Sequence, residues 1–84
     1  IHPSALISPF ASLGVGCMIL HGVIIQAHAQ ISNHVILNTG ARVDHDCKIE
    51  EFVHIAPGVV LCGRVKVGEG AFIGAGSVVL PGIK

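Results

Sequence analysis

Every sixth residue of this chain is Ile, Leu or Val, from Ile1 to Val79, with no slip and no insertion through fourteen hexads. Four residues after each lies a second restricted position. Its occupants are Ala5, Ala11, Cys17, Val23, Ala29, Val35, Ala41, Cys47, Val53, Val59, Val65, Ala71, Ser77 and Ile83, nearly all of them small. A period held this strictly is the sequence sign of a solenoid.

A repeat of six matches neither the helical period of about 3.6 nor the alternation of about 2 along a strand. A short strand followed by a corner produces it. Within each unit the small residue points inward, the next outward, the aliphatic inward and the next outward, and two residues then turn the chain. Corner residues often need φ > 0, which Gly adopts cheaply. Seven of the eleven glycines fall at the second corner position: Gly16, Gly22, Gly40, Gly58, Gly70, Gly76 and Gly82. All four prolines, Pro3, Pro9, Pro57 and Pro81, fall at the first, where a fixed φ and a missing N–H do least harm. The pattern predicts an all-β fold, a parallel β-helix in which three hexads close one triangular coil of 18 residues, giving four to five coils. The periodic residues are core, which leaves the outward positions to carry chemistry. The hexad resembles that of the hexapeptide-repeat transferases, and this resemblance implies a left-handed coil, whereas the general rule for parallel crossovers would favour the right hand.

At 84 residues the chain reads as a single domain over residues 1–84. Charged residues make up 12% and the net charge is zero, so no basic patch argues for nucleic acid. No long apolar stretch free of polar breaks points to a membrane span. Three cysteines is an odd number, and Cys17 and Cys47 fall at inward positions, where a thiol behaves as a small hydrophobe. This fits a reduced, cytoplasmic setting better than a disulfide scaffold. A start and a stop in mid-pattern lead us to expect a piece of a longer protein.

Residues 18 apart stack in columns, which sorts the outward positions into three faces. One carries Ser12, Gln30, Lys48 and Lys66 beside Gly14, Ser32, Glu50 and Gly68, and is solvated. The second carries Met18, Ile36, His54 and Phe72 beside His2, Leu20, Asn38, Ala56 and Gly74. The third carries Leu6, Ile24, Arg42, Val60 and Val78 beside Ser8, Gln26, Asp44, Cys62 and Leu80. The last two are too apolar for water, and exposed apolar area of that extent marks an interface. A closed ring of three β-helices, a homotrimer, would bury both.

None of the six histidines occupies an inward position. His45 sits at a corner within Asp44-His45-Asp46, where either carboxylate could hold its imidazole in one tautomer. One coil later in the same column stands Gly63, the only glycine at a first corner position. A side chain there would overhang His45; its absence is expected to leave room for a ligand and to bare a backbone N–H. Base, orienting carboxylate and open N–H form the minimal set for acyl transfer. Taken alone, His54 on its apolar face reads as an interface residue. The column His28, Asp46, Arg64 reads as a charge ladder, in which Asp46 would be structural. His2, His21 and His34 gain no role. Neither the histidine nor the cysteine spacing fits a zinc site, and no metal is expected. With one threonine, Thr39, the chain lacks the threonine rows of an ice-binding helix.

The stretch from Ile36 to Gly58, with Asn38, Ala41, Val43-Asp44-His45-Asp46 and Phe52-Val53-His54, resembles the sialic acid O-acetyltransferase NeuD family, which includes the PglD-type N-acetyltransferases of nucleotide-linked amino sugars. So does the stretch from Leu61 to Gly76. The resemblance covers the whole chain. It implies a homotrimer with acetyl-CoA as co-substrate between adjacent β-helices, His45 as general base, Asp46 as its supporting carboxylate and Asn38 in the site. It further implies that His54 and the backbone at Gly63 and Ala75 contact acetyl-CoA. The expected activity is acetyl transfer to an amino or hydroxyl group of a nucleotide-linked sugar; the alternative is a non-catalytic trimerisation scaffold.

Overall fold

A computed structural model describes residues 4–79. Ile1, His2, Pro3, Leu80, Pro81, Gly82 and Ile83, all used above, lie outside the described residues. Among the described residues there are thirteen two-residue strands, β1 (Leu6–Ile7) to β13 (Val78–Val79), each the outward and inward pair of one hexad. Each strand from β1 to β10 pairs in parallel with the one 18 residues on, as in Leu6↔Ile24 and Ile7↔Ile25. Sheet 1 contains Leu6–Ile7, Ile24–Ile25, Arg42–Val43, Val60–Leu61 and Val78–Val79; sheet 2 contains Ser12–Leu13, Gln30–Ile31, Lys48–Ile49 and Lys66–Val67; sheet 3 contains Met18–Ile19, Ile36–Leu37, His54–Ile55 and Phe72–Ile73. This is a left-handed parallel β-helix of about four turns, with one sheet on each side of a triangle.

Both restricted positions of the hexad point inward. Ile19, Ile25, Leu37, Val43, Ile49, Ile55 and Leu61 alternate with Val23, Val35, Ala41, Cys47, Val53 and Val59 in a continuous buried file. Truncating one of the large members to Ala is expected to cost about 2–5 kcal/mol. The Cys17 thiol donates to the Ser32 carbonyl and the Cys47 thiol to the Cys62 carbonyl. Burial, helped by the Asp44 charge, pushes the Cys47 thiol up from its ordinary pKa. All three cysteines are free.

The corners follow a rule of their own. From residue 16 to 76 every second corner position has φ between 58° and 73°, whether it is Gly or one of His28, His34, Asp46, Phe52 and Arg64. Strand amides donate to the following coil, as in Leu6 N–H to the Val23 carbonyl, whereas second-corner amides donate back to the preceding one, as in Arg64 N–H to the His45 carbonyl. The left-handed residue thus turns one amide against the general direction and ties each corner to the coil before it. The position tolerates His and Asp better than Phe or Arg, for which a left-handed backbone costs about 1–2 kcal/mol.

Candidate functional site

Sheets 1 and 2 meet at a corner column formed by Pro9, Ala27, His45 and Gly63, followed by Phe10, His28, Asp46 and Arg64. Here the chain places its histidine and carboxylate together. His45 Nδ1 donates to Asp46 Oδ2 at 3.1 Å. Asp46 takes a left-handed φ of 60°, so a corner conformation that the coil requires also carries the carboxylate. With Nδ1 engaged, the lone pair is left on Nε2. Asp44, the other candidate partner, faces out of sheet 1, with Oδ1 at 3.5 Å from Arg42 Nε.

The ring of His45 lies over Gly63. A Cβ built on Gly63 would stand 2.6 Å from Cε1 and 2.7 Å from Nε2 of the imidazole. The glycine is therefore a steric requirement of the ring's position, as its place in the column suggested. The expected room for a ligand is corrected, because the imidazole itself fills the space and Gly63 is buried beneath it. Among the described residues no group accepts from the Gly63 N–H.

The expected charge ladder is not formed. The His28 ring stacks on Phe10, with centroids 5.8 Å apart. Asp46 turns to His45, and among the described residues Arg64 makes no ion pair. A second stack, His34 on Phe52 at 5.3 Å, occupies the corner between sheets 2 and 3. Beside it Asn33 accepts from the Val15 N–H and donates to Glu51. Sequence reasoning missed both stacks and this ladder, although 18-residue spacing marks each of them.

The other candidates stand elsewhere on the triangle. Asn38 lies on sheet 3 at its edge with sheet 1, its Oδ1 accepting from the Thr39 N–H at 2.7 Å. Ala75 is exposed at the corner between sheets 3 and 1. His54 is half-buried on sheet 3, edge-on to Phe72 at 5.0 Å, with Nε2 buried and unpartnered. The fold thus brings His45, Asp46 and Gly63 together and holds Asn38, His54 and Ala75 on a different side of the same chain. The sorting into faces holds: Leu6, Met18, Phe72 and Val78 are exposed on sheets 1 and 3, while sheet 2 presents Ser12, Gln30, Lys48 and Lys66. Among the described residues no cluster of His, Cys, Asp or Glu is arranged to hold a metal ion, and no helix is long and apolar enough to cross a membrane.

Residues 46–81 match the family described as bacterial transferase hexapeptide (six repeats). A GDP-perosamine N-acetyltransferase of Escherichia coli O157:H7 is 32% identical over 82 residues, which is 98% of this chain and 37% of that protein. A serine acetyltransferase of Escherichia coli K12 is 38% identical over 84 residues, 88% of this chain and 31% of that protein. Among solved structures, the acetyltransferase domain of PglB from Neisseria gonorrhoeae, in complex with acetyl coenzyme A, superposes with a TM-score of 0.95 at 41% identity, covering 96% of this chain and 40% of that one. A histidine-to-asparagine mutant of perosamine N-acetyltransferase from Caulobacter crescentus, in complex with CoA and GDP-perosamine, gives 0.97 at 48%, covering 98% and 39%. The chain thus spans well under half the length of each of these relatives.

Proposed function

For a chain that belongs to the bacterial transferase hexapeptide family, we propose acetyl transfer from acetyl-CoA to an amino group, or a hydroxyl, of a nucleotide-linked sugar. The observation that carries this reading is the His45–Asp46 pair set over Gly63. The names of the similar sugar N-acetyltransferases support the acceptor class, and the CoA and acetyl-CoA complexes among them support the donor. The three free cysteines accord with a cytoplasmic enzyme.

In the reaction His45 Nε2 takes the proton of the acceptor as its nitrogen or oxygen attacks the thioester carbonyl. Asp46 holds Nδ1–H, fixes the tautomer and faces the imidazolium that forms. The Gly63 N–H receives the oxyanion once the imidazole swings toward the acceptor and uncovers it. The tetrahedral species collapses with loss of the CoA thiolate, and His45 returns its proton to the thiolate. No acyl-enzyme is required. Base assistance of this kind contributes about 10²–10⁴-fold in rate.

The site needs more than one copy of the chain. His45 stands at one corner, while Asn38, His54 and Ala75 belong to another side, so a single protomer supplies only one wall. Both apolar sheets adjoin the corner of Gly22, Gly40, Gly58 and Gly76, whose second corner positions carry no side chain. A homotrimer closed around that region would cover both sheets and set His45 of one protomer against sheet 3 of the next, with acetyl-CoA between them, touching His54, Asn38 and the backbone at Ala75. The test is His45→Ala in the protein with its full length: turnover at saturating substrate is expected to fall by at least about 10²-fold. Near-normal turnover would remove His45 from the mechanism.

A further inference from the structure

Where the His45 corner passes into sheet 2, the chain breaks two local rules at once. Lys48 and Lys66 are exposed Cα partners in parallel register, so two ammonium-bearing side chains start from positions about 4.8 Å apart. Like charges set directly opposite one another destabilise a sheet. Arg64, two residues before Lys66, is exposed and holds a φ of 60°, a conformation that strains an arginine but not a glycine. Local rules broken side by side mark a place where the side chains have a use outside the fold.

The protomer itself supplies no such use. Among the described residues Lys48, Arg64 and Lys66 make no ion pair. The carboxylate of the same corner column, Asp46, is taken by His45. Glu50, Glu51 and Glu69 share a hollow with Lys66 toward sheet 3, yet none pairs with it, and Glu51 accepts from Asn33 instead. These cations are three of the five Lys and Arg residues in a chain of zero net charge, so general basicity does not explain their grouping. Exposure of sheet 2 explains polar residues there, but not one sign repeated in register.

We propose that Lys48, Lys66 and Arg64 form a phosphate-binding strip that takes the diphosphate of the nucleotide-linked sugar. The inference rests on the acetyl-transfer reading above and deepens it. Arg64 directly follows Gly63, and Lys48 follows Asp46 by two residues, so the strip begins at the His45 site. In the proposed ring sheets 1 and 3 are covered, acetyl-CoA lies against sheet 3 of the next protomer, and sheet 2 stays open to solvent. The acceptor then reaches His45 from the sheet 2 side, and its phosphates pass over the strip. Two ammonium groups and a guanidinium offer a diphosphate charge-assisted hydrogen bonds, and the bound anion relieves the repulsion between the lysines. CoA carries phosphates as well, so the test must separate donor from acceptor.

The test is calorimetric titration of the full-length protein with GDP, UDP, their nucleosides and CoA. The variants are Lys48→Gln, Lys66→Gln and Arg64→Asn, the last because Asn tolerates a left-handed φ. Each substitution is expected to weaken binding of the nucleoside diphosphate at least about threefold, and to leave nucleoside and CoA binding unchanged. Denaturant unfolding should show each variant at least as stable as the unsubstituted chain, which separates lost binding from lost folding. Unchanged diphosphate binding, equal weakening of the nucleosides, or weakening of CoA alone overturns the assignment. His45→Ala is expected to bind the diphosphate as before, so failure of the strip and failure of the acetyl-transfer reading appear in different measurements. An unsubstituted protein that binds neither CoA nor either diphosphate overturns both.

Discussion

The corner between sheets 3 and 1 and the corner between sheets 1 and 2 flank the same strands and share one backbone conformation, yet they are built from opposite residues. The first has Gly22, Gly40, Gly58 and Gly76 at its left-handed position; the second has His28, Asp46 and Arg64. Both send their amides back to the preceding coil, as Gly40 does to His21 and Asp46 to Ala27. The left-handed turn is thus imposed by hydrogen bonding between coils and not by glycine. Where the chain keeps a larger residue at the position, it accepts strain, and at Asp46 that strain is matched by a carboxylate set against His45. The corner between sheets 1 and 2 carries the pair to which the proposed chemistry is assigned; the glycine corner has no side chain at its left-handed position.

This contrast can be broken at single residues. Asp46→Asn removes the charge that faces the imidazolium and lets the amide favour the wrong tautomer. We expect turnover to drop about 10²-fold or more with thermal stability little changed, measured by steady-state rates and calorimetry. Gly63→Ala drives a methyl into the imidazole at 2.6 Å. The ring is more than half exposed and can rotate away, so turnover should fall at least about tenfold while denaturant unfolding shifts by less than about 1 kcal/mol. Unchanged turnover would mean that the ring's place over Gly63 does not matter.

Gly40→Ala should show the reverse. Its added Cβ meets nothing within 4 Å, but φ is 71°, so unfolding should show a loss of about 1 kcal/mol with no steric cause. The smallest effect is expected for Arg64→Gly. Relief of about 1–2 kcal/mol of backbone strain is offset by about 0.5–1 kcal/mol of extra chain entropy, leaving a gain of about 0.5 kcal/mol in chemical denaturation. A loss instead would show that the Arg64 side chain contributes to the fold.

The six-residue period made most of the fold legible. It assigned inward and outward positions, the corners and the 18-residue columns, because parallel pairing at one coil's spacing leaves a side chain no choice of neighbour. It also brought His45 over Gly63 before any coordinates. It did not distinguish Asp44 from Asp46 as the partner of His45, since both are adjacent in sequence; the left-handed φ of Asp46 and the outward aim of Asp44 make that choice. Nor did it find the Phe10–His28 and His34–Phe52 stacks. A column reading lists neighbours without saying which rings lie flat against each other.

The sequence by itself determined the coil, the core and the three faces, because these follow from periodicity and from the burial of apolar side chains. Only the tertiary structure decided that the imidazole fills the gap at Gly63, that Asp46 meets it through Nδ1 at 3.1 Å, and that Asp44 Oδ1 and His54 Nε2 lack a hydrogen-bond partner among the described residues. Those outcomes depend on torsion angles and on the few ångströms between side chains one coil apart, which a one-dimensional pattern does not carry.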